Sequence, residues 1–186
     1  MSSIKMVMFD LSGTTVAGDT AVRDCIHQAA REFDLKATPD EILYHMGTNK
    51  IHLFQFLIAR SRGECVDIRD FEQNPDPSTL GSARQLFKRY ESLMIDYYRT
   101  NVKEIPGAAA TFGWCHEHDI KVATDTGFHG AINEAVMEGL GWLRDGLVDV
   151  AVHVDCIPGG RGRPAPYMIF YAMETLNINS VHDVIK

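Results

Sequence analysis

Three short, nearly unbroken apolar runs, each closing on a polar loop, constrain this chain more than any other feature of its sequence. The first, Ile4 to Phe9, ends in Asp10 and the turn-forming Ser12-Gly13-Thr14-Thr15. The second, Ile120 to Ala123, is followed by Thr124-Asp125-Thr126-Gly127, and the third, Val148 to Val154, by Asp155. Runs this short and this apolar read as parallel strands covered on both faces. Helical patterns follow them at Ala108 to His116, Ala131 to Leu140, and Pro164 to about Leu176. Strands alternating with helices imply right-handed crossovers and a parallel α/β sheet with helices on both faces. Ligands of such sheets bind at the C-terminal ends of the strands.

The long interval between the first two runs carries helical periods only. Val22, Ile26, Ala29, Ala30 and Phe33 share a face after a start at Asp19 or Thr20, and Thr38-Pro39-Asp40-Glu41 reads as a capping box with Pro at the first helical position. Ile51, Phe54, Leu57 and Ile58 form another stripe, and Leu86, Phe87, Tyr90, Leu93, Met94 and Tyr97 a further one. Asp67 to Ser82, with its Asn-Pro-Asp-Pro-Ser segment, carries no period and is expected to be a loop. The organisation expected is a helical cap over residues 18–103, inserted into an α/β core of residues 1–17 and 104–186.

Composition narrows the function. With 18 Lys+Arg against 25 Asp+Glu, the net charge is −7, unsuited to a nucleic-acid binder. The longest apolar stretches, such as Leu53 to Ala59, fall short of the roughly 20 residues of a membrane span, so a soluble cytoplasmic protein without membrane contact is expected. Cys25, Cys65, Cys115 and Cys156 are widely spaced and are expected to be unbridged thiols. His116 and His118 lack a third ligand nearby and read as surface residues. Pro158 to Pro164 lacks the Gly-x-Gly-x-x-Gly spacing of a dinucleotide site.

The residues that carry chemistry begin in the first loop. A carboxylate at a strand end, Asp10, can attack phosphorus in line, while the amides of a Gly-containing turn and the Thr14 hydroxyl hold the loop around the oxyanion. Residues 9 to 16 resemble the nucleophile motif of the haloacid dehalogenase superfamily, Asp-x-Asp-Gly-Thr after a first strand. Two further motifs follow in the same order. Thr126, followed by Gly127, resembles the hydroxyl residue that binds the transferring phosphoryl oxygen, and Arg163 occupies the position of the motif Lys or Arg, with Pro164 opening a helix behind it.

Ser12 stands where most of these phosphatases carry a general acid. In this, in the doubled Thr14-Thr15, in Thr126-Gly127 and in Gly162-Arg163-Pro164-Ala165-Pro166, the chain resembles the phosphonoacetaldehyde hydrolase (phosphonatase) branch along nearly its whole length. That branch replaces the acid by a cap lysine in a Met-Gly-x-x-Lys motif, which here is Met46-Gly47-Thr48-Asn49-Lys50. The resemblance implies an imine between Lys50 and a substrate aldehyde, which gives a breaking C–P bond an electron sink. It departs from the branch at Leu53, where a His is usual, with His52 adjacent, and at Phe128, where a Tyr is usual.

What the resemblance implies is a magnesium-dependent hydrolase of a small phosphonate acting through an aspartyl-phosphate. Asp10, Lys50, Thr126 and Arg163 would be catalytic, Thr14, Gly127 and Met46 would contact substrate, and Asp10 with the Ser12 carbonyl would hold Mg²⁺. A homodimer is left open. A phosphomonoesterase and a catalytically silent binding protein are the other readings. The fourth motif of the superfamily does not occur before Lys186, and Val184-Ile185 reads as the start of the strand that would carry it. The expectation is therefore a chain that lacks the last core strands.

Overall fold

The computed structural model of the chain describes residues 4–18, 20–46 and 48–186. In chain order its elements are β1 (Met6–Asp10), α1 (Ala21–Glu32), α2 (Pro39–Tyr44), α3 (Lys50–Ser61), α4 (Ile68–Gln73), α5 (Pro77–Asn101) and α6 (Ala108–Glu117). They continue with β2 (Lys121–Asp125), α7 (Gly130–Leu140), β3 (Val150–Val152), α8 (Tyr167–Thr175) and β4 (Val184–Ile185). Asp19 and Gly47, each part of a sequence expectation, lie outside the described residues. Among the described residues no helix is long and apolar enough to cross a membrane.

The chain divides into two units, Met1–Gly18 with Tyr97–Lys186, and Asp19–Asp96. Sequence reading puts the second boundary at residue 103, whereas the division falls inside α5. The reason is Tyr98, which is fully buried and packs its ring 5.9 Å from that of Phe128 in the first unit.

The first unit is a parallel α/β sheet of order β3-β2-β1-β4. β1 pairs along its whole length with β2, from Met6↔Lys121 to Asp10↔Asp125. β4 takes the other side of β1 with Met6↔Val184 and Val7↔Ile185. Alternate residues of a strand face opposite ways. Met6 and Met8 accordingly go to one face, with Ala123, Val152, Ile157 and the α8 residues Met168, Ala172 and Met173. Phe9 goes to the other, edge-on to Phe112 of α6 at 5.1 Å, and Phe112 in turn meets Trp142 at 4.9 Å.

The second unit is helical among its described residues. Every residue from Leu53 to Ala59 of α3 is buried, so this helix is covered all round. Its one buried polar side chain, Gln55, donates to the Asp76 carbonyl at 2.7 Å and to the Thr79 hydroxyl at 3.0 Å.

Three local expectations need correction. The segment read as a loop from Asp67 contains α4 and the first turn of α5. Its period was too short to register, but Asp67 and Asp70 form a reciprocal capping box, Ile68 and Phe71 are buried, and Pro77 opens the next helix. At Thr38 only half of the expected box forms. The Thr38 hydroxyl accepts from the Glu41 amide at 3.2 Å, while the Glu41 carboxylate pairs with Arg60. Pro164 does not open α8, which begins at Tyr167 after Pro166. A residue before proline is pushed out of the helical region, so Ala165 cannot enter the helix ahead of Pro166.

Replacing Phe112, which is fully buried between Phe9 and Trp142, by Ala is expected to lower stability by about 3–4 kcal/mol through the lost contacts and the residual cavity. Urea denaturation of the two proteins checks this.

Candidate active site

The ladder between β1 and β2 ends with Asp10 opposite Asp125, two carboxylates side by side at the C-terminal edge of the sheet. Their environments differ. The Asp10 side chain is 31% exposed and accepts from Arg163 Nη1 at 2.9 Å on Oδ1. Asp125 is buried and pairs with the ammonium of Lys186. Each carboxylate thus has its own cation, and neither is left as an uncompensated charge.

The loop after Asp10 is closed by its own backbone. The Leu11 carbonyl takes the amides of Thr14, Thr15 and Val16 at 3.2, 2.9 and 2.8 Å, and the Val16 carbonyl takes that of Gly13 at 2.9 Å. Gly13 sits at φ 79°, a conformation that favours glycine. The buried Thr15 hydroxyl donates to the Asp10 carbonyl at 2.8 Å and so ties the loop to the strand end. This corrects the expectation that the amides of the Gly turn face the oxyanion, because the turn consumes them. Among the described residues no main-chain acceptor is found for the Ser12 amide. Thr14 is exposed at the loop tip, and no main-chain amide donates to the Ser12 carbonyl among the described residues.

Thr126 follows β2 directly and is buried. Its amide donates to the Val152 carbonyl at 3.0 Å, and its hydroxyl oxygen accepts from the Phe128 amide at 3.1 Å. The hydroxyl proton therefore remains for another acceptor. A β-carbon on Gly127 would stand 3.8 Å from Arg163 Nη2, so the bare backbone there leaves room beside the guanidinium. Asp10, Gly127 and Arg163 are thus brought together, with Thr126 one residue beyond the Asp10–Asp125 register.

Lys50 and Met46 belong to the helical unit. Lys50 opens α3, where the Asn49 side chain caps the helix by accepting from the Ile51 amide at 2.9 Å. Its ammonium turns back on the preceding segment, donating to the carbonyls of Met46 at 2.9 Å and Thr48 at 3.1 Å. Burial pushes the Lys50 amine down to about 8 from the usual 10.5. A neutral amine keeps two N–H donors, enough for both carbonyls. Of the neighbours singled out with it, Leu53 is fully buried, and the ring Nδ1 of His52 is buried without a hydrogen-bond partner.

Other candidates are placed elsewhere. His116 Nε2 lies 3.2 Å from the Leu147 carbonyl, and His118 stacks on Trp114 at 4.1 Å. All four cysteines are free thiols. Among the described residues no group of three or more His, Cys, Asp or Glu is arranged to hold a metal.

Sequence reasoning missed two contributors, Asp125 with its partner Lys186, and Thr15 as the side chain that pins the loop. The signal for Asp125 was a carboxylate that closes a strand after Val122, Ala123 and Thr124.

A parallel sheet carrying an inserted helical unit, with a carboxylate and an arginine meeting at its strand ends, defines an α/β protein of the class whose ligands bind at the C-terminal ends of the strands. More narrowly, the sequence model for haloacid dehalogenase-like hydrolases matches residues 4–185, and the chain belongs to that family of hydrolases. It is 25% identical over 190 residues to the phosphonoacetaldehyde hydrolase of Paraburkholderia phytofirmans, covering 100% of this chain and 68% of the relative. To the enzyme of the same name from Lactiplantibacillus plantarum it is 25% identical over 186 residues, covering 99% of this chain and 68% of the relative. A solved structure of a putative phosphoglycolate phosphatase from Lactobacillus delbrueckii superposes with a TM-score of 0.67 at 17% identity. The match covers 95% of this chain and 75% of that one.

Lys186→Met is expected to destabilise the protein by roughly 3 kcal/mol, the low end for a broken buried pair because Lys186 is 32% exposed. Adding Asp125→Asn should recover part of that loss, since it removes the stranded charge. Thermal unfolding of the single and double variants checks both.

Proposed function

We propose that this hydrolase cleaves the C–P bond of a small aldehyde phosphonate, of the phosphonoacetaldehyde type, through an aspartyl-phosphate at Asp10. The observation that carries this reading over phosphate-ester hydrolysis is Lys50. It is a half-buried lysine whose amine is held by the Met46 and Thr48 carbonyls and whose pKa is brought down to about 8 by desolvation, in a chain whose Ser12 cannot protonate a leaving alkoxide. A lysine near neutrality attacks an aldehyde readily, and desolvation is one of the ways enzymes activate it.

In the reaction the Lys50 amine condenses with the substrate aldehyde and releases water. Asp10 attacks phosphorus through Oδ2, the oxygen that Arg163 does not hold. The P–C bond breaks as the P–O bond forms, and the electron pair moves through the carbon into the iminium to give an enamine. Protonation of the enamine carbon and hydrolysis of the imine release acetaldehyde and free Lys50, and a second water cleaves the aspartyl-phosphate to phosphate. Arg163, the Thr126 hydroxyl and the Ser12 amide offer the positive charge and donors that a developing phosphoryl charge requires.

The Asp10 carboxylate and the Ser12 carbonyl, which receives no main-chain amide, are hard oxygen donors suited to Mg²⁺. That ion is commonly held by one or two carboxylates together with substrate oxygens and water. When bound there it would offset charge on the transferring phosphoryl group.

Borohydride added with phosphonoacetaldehyde is expected to attach the reduced substrate to the Lys50 peptide and to inactivate the enzyme. Labelling should accelerate about tenfold per pH unit up to about 8 and then level off, because the amine reacts only when neutral and its pKa is depressed to about 8. Continued acceleration towards 10.5 would mark an ordinary exposed lysine. Hydrolysis of phosphate esters with Lys50 unlabelled would replace the reading by a phosphomonoesterase. Separately, Asp10→Asn is expected to abolish phosphate release while leaving the thermal transition nearly unchanged.

A further inference from the structure

The loop that carries Thr126 and Gly127 is held by a side chain from another part of the chain. Helix α7 begins at Gly130, yet the residue before it, His129, makes no capping bond with its own side chain. The cap comes from the loop after β3. Asp155 Oδ2 accepts the Gly130 amide at 2.8 Å, and Asp155 Oδ1 stands 2.8 Å from His129 Nδ1. His153 closes the other side: its Nδ1 is 3.7 Å from Asp155 Oδ2, and a β-carbon on Gly130 would come within 3.0 Å of its ring.

Two more contacts extend the connection. The Val154 amide donates to the Phe128 carbonyl at 3.3 Å, and Val154 Cγ1 would be 3.3 Å from a β-carbon on Gly162, the residue before Arg163. Residues 153 to 155 therefore lie between the Thr126-Gly127 loop and the segment that presents Arg163. Desolvation raises the Asp155 carboxyl, but the Gly130 amide, His129 and His153 outweigh it and hold it below the usual carboxylate range.

We propose that Asp155 is a positioning residue of the candidate site, its carboxylate fixing the loop of Thr126 and Gly127 against the segment that carries Arg163 by gripping Gly130 and His129 together. The inference rests on the reading of Thr126, Gly127 and Arg163 as phosphoryl contacts. A site that binds a transferring group tolerates only fractions of an ångström of displacement in its supporting shell. The two bonds from Asp155 add to the main-chain bonds from Thr126 to Val152 and from Val154 to Phe128 in tying the β2 loop to the β3 side.

The test compares orthovanadate affinity, kcat and KM in the whole protein and in Asp155→Ala, Asp155→Asn and His129→Ala. Asp149→Ala serves as control: Asp149 caps the Val122 amide at 2.8 Å and pairs with Lys121, away from the loop, so its loss costs stability only. Asp155→Ala is expected to weaken orthovanadate about tenfold and to lower kcat with little change in KM. Asp155→Asn, which still offers an oxygen to Gly130 and an N–H to a neutral His129, should stay within about threefold of wild type. The amide resonances of Thr126 to Gly130 should shift in Asp155→Ala and return in Asp155→Asn.

Unchanged affinity and unchanged resonances in Asp155→Ala would overturn the proposal, as would an equal loss of affinity in Asp149→Ala. Should Asp155→Ala not fold, His129→Ala decides, since an unaltered affinity there overturns it equally. A wild-type protein that binds no orthovanadate, while the loop resonances still move in Asp155→Ala, would instead sink the phosphoryl reading and leave the positioning contact standing as structure.

Discussion

The parallel ladder between β1 and β2 is the constraint on which the core site depends. It places Asp10 and Asp125 opposite one another at the edge of the sheet and delivers Thr126 at the next residue. Since β1 is flanked by β2 on one side and β4 on the other, its backbone cannot shift without breaking hydrogen bonds on both. The aromatic contact of Phe9 with Phe112 and the burial of Met6 and Met8 under α8 hold the same strand from its two faces. A carboxylate at the end of such a strand is held firmly without being buried, which suits a nucleophile.

Having two acidic residues side by side at one strand edge creates an electrostatic problem, and the chain answers it with one cation for each. Arg163 reaches Asp10 from 153 residues away in sequence, and Lys186 reaches Asp125 from 61. The two pairs differ in what they leave accessible. Asp125 is buried with its lysine and contributes to structure, whereas Asp10 and Arg163 are both partly exposed and open to an incoming anion. A guanidinium that holds one carboxylate oxygen orients the other, and it can turn towards a phosphoryl group without changing its own charge.

In the helical unit the relevant chemistry comes from a small local arrangement. The carbonyls of Met46 and Thr48, ahead of α3, accept from the Lys50 amine, and burial lowers its pKa. The surrounding helix is buried all round from Leu53 to Ala59, which fixes the lysine stem at its base. Departures from the phosphonatase pattern at Leu53 and Phe128 fall on residues with clear packing roles. Leu53 is fully buried, and Phe128 packs against Tyr98.

Much of this was legible in the sequence because strands and loop motifs are local. The apolar runs that close on Asp10 and on Thr124-Asp125-Thr126 announced the strands and the loops that follow them, and their order along the chain announced the parallel sheet. Short capped segments were harder to read. At α4, six residues are too few for a helical period, and the deciding signal was a single pair of aspartates. Tertiary structure alone decided which groups meet. That the loop amides of Gly13 to Val16 fold back on Leu11 and Val16, that Lys186 neutralises Asp125, and that Asp155 caps a helix that starts at Gly130 depend on distances between segments far apart in sequence or on how one turn closes. No residue pattern encodes those distances, because they are set by how the strands register and how the helices pack across them.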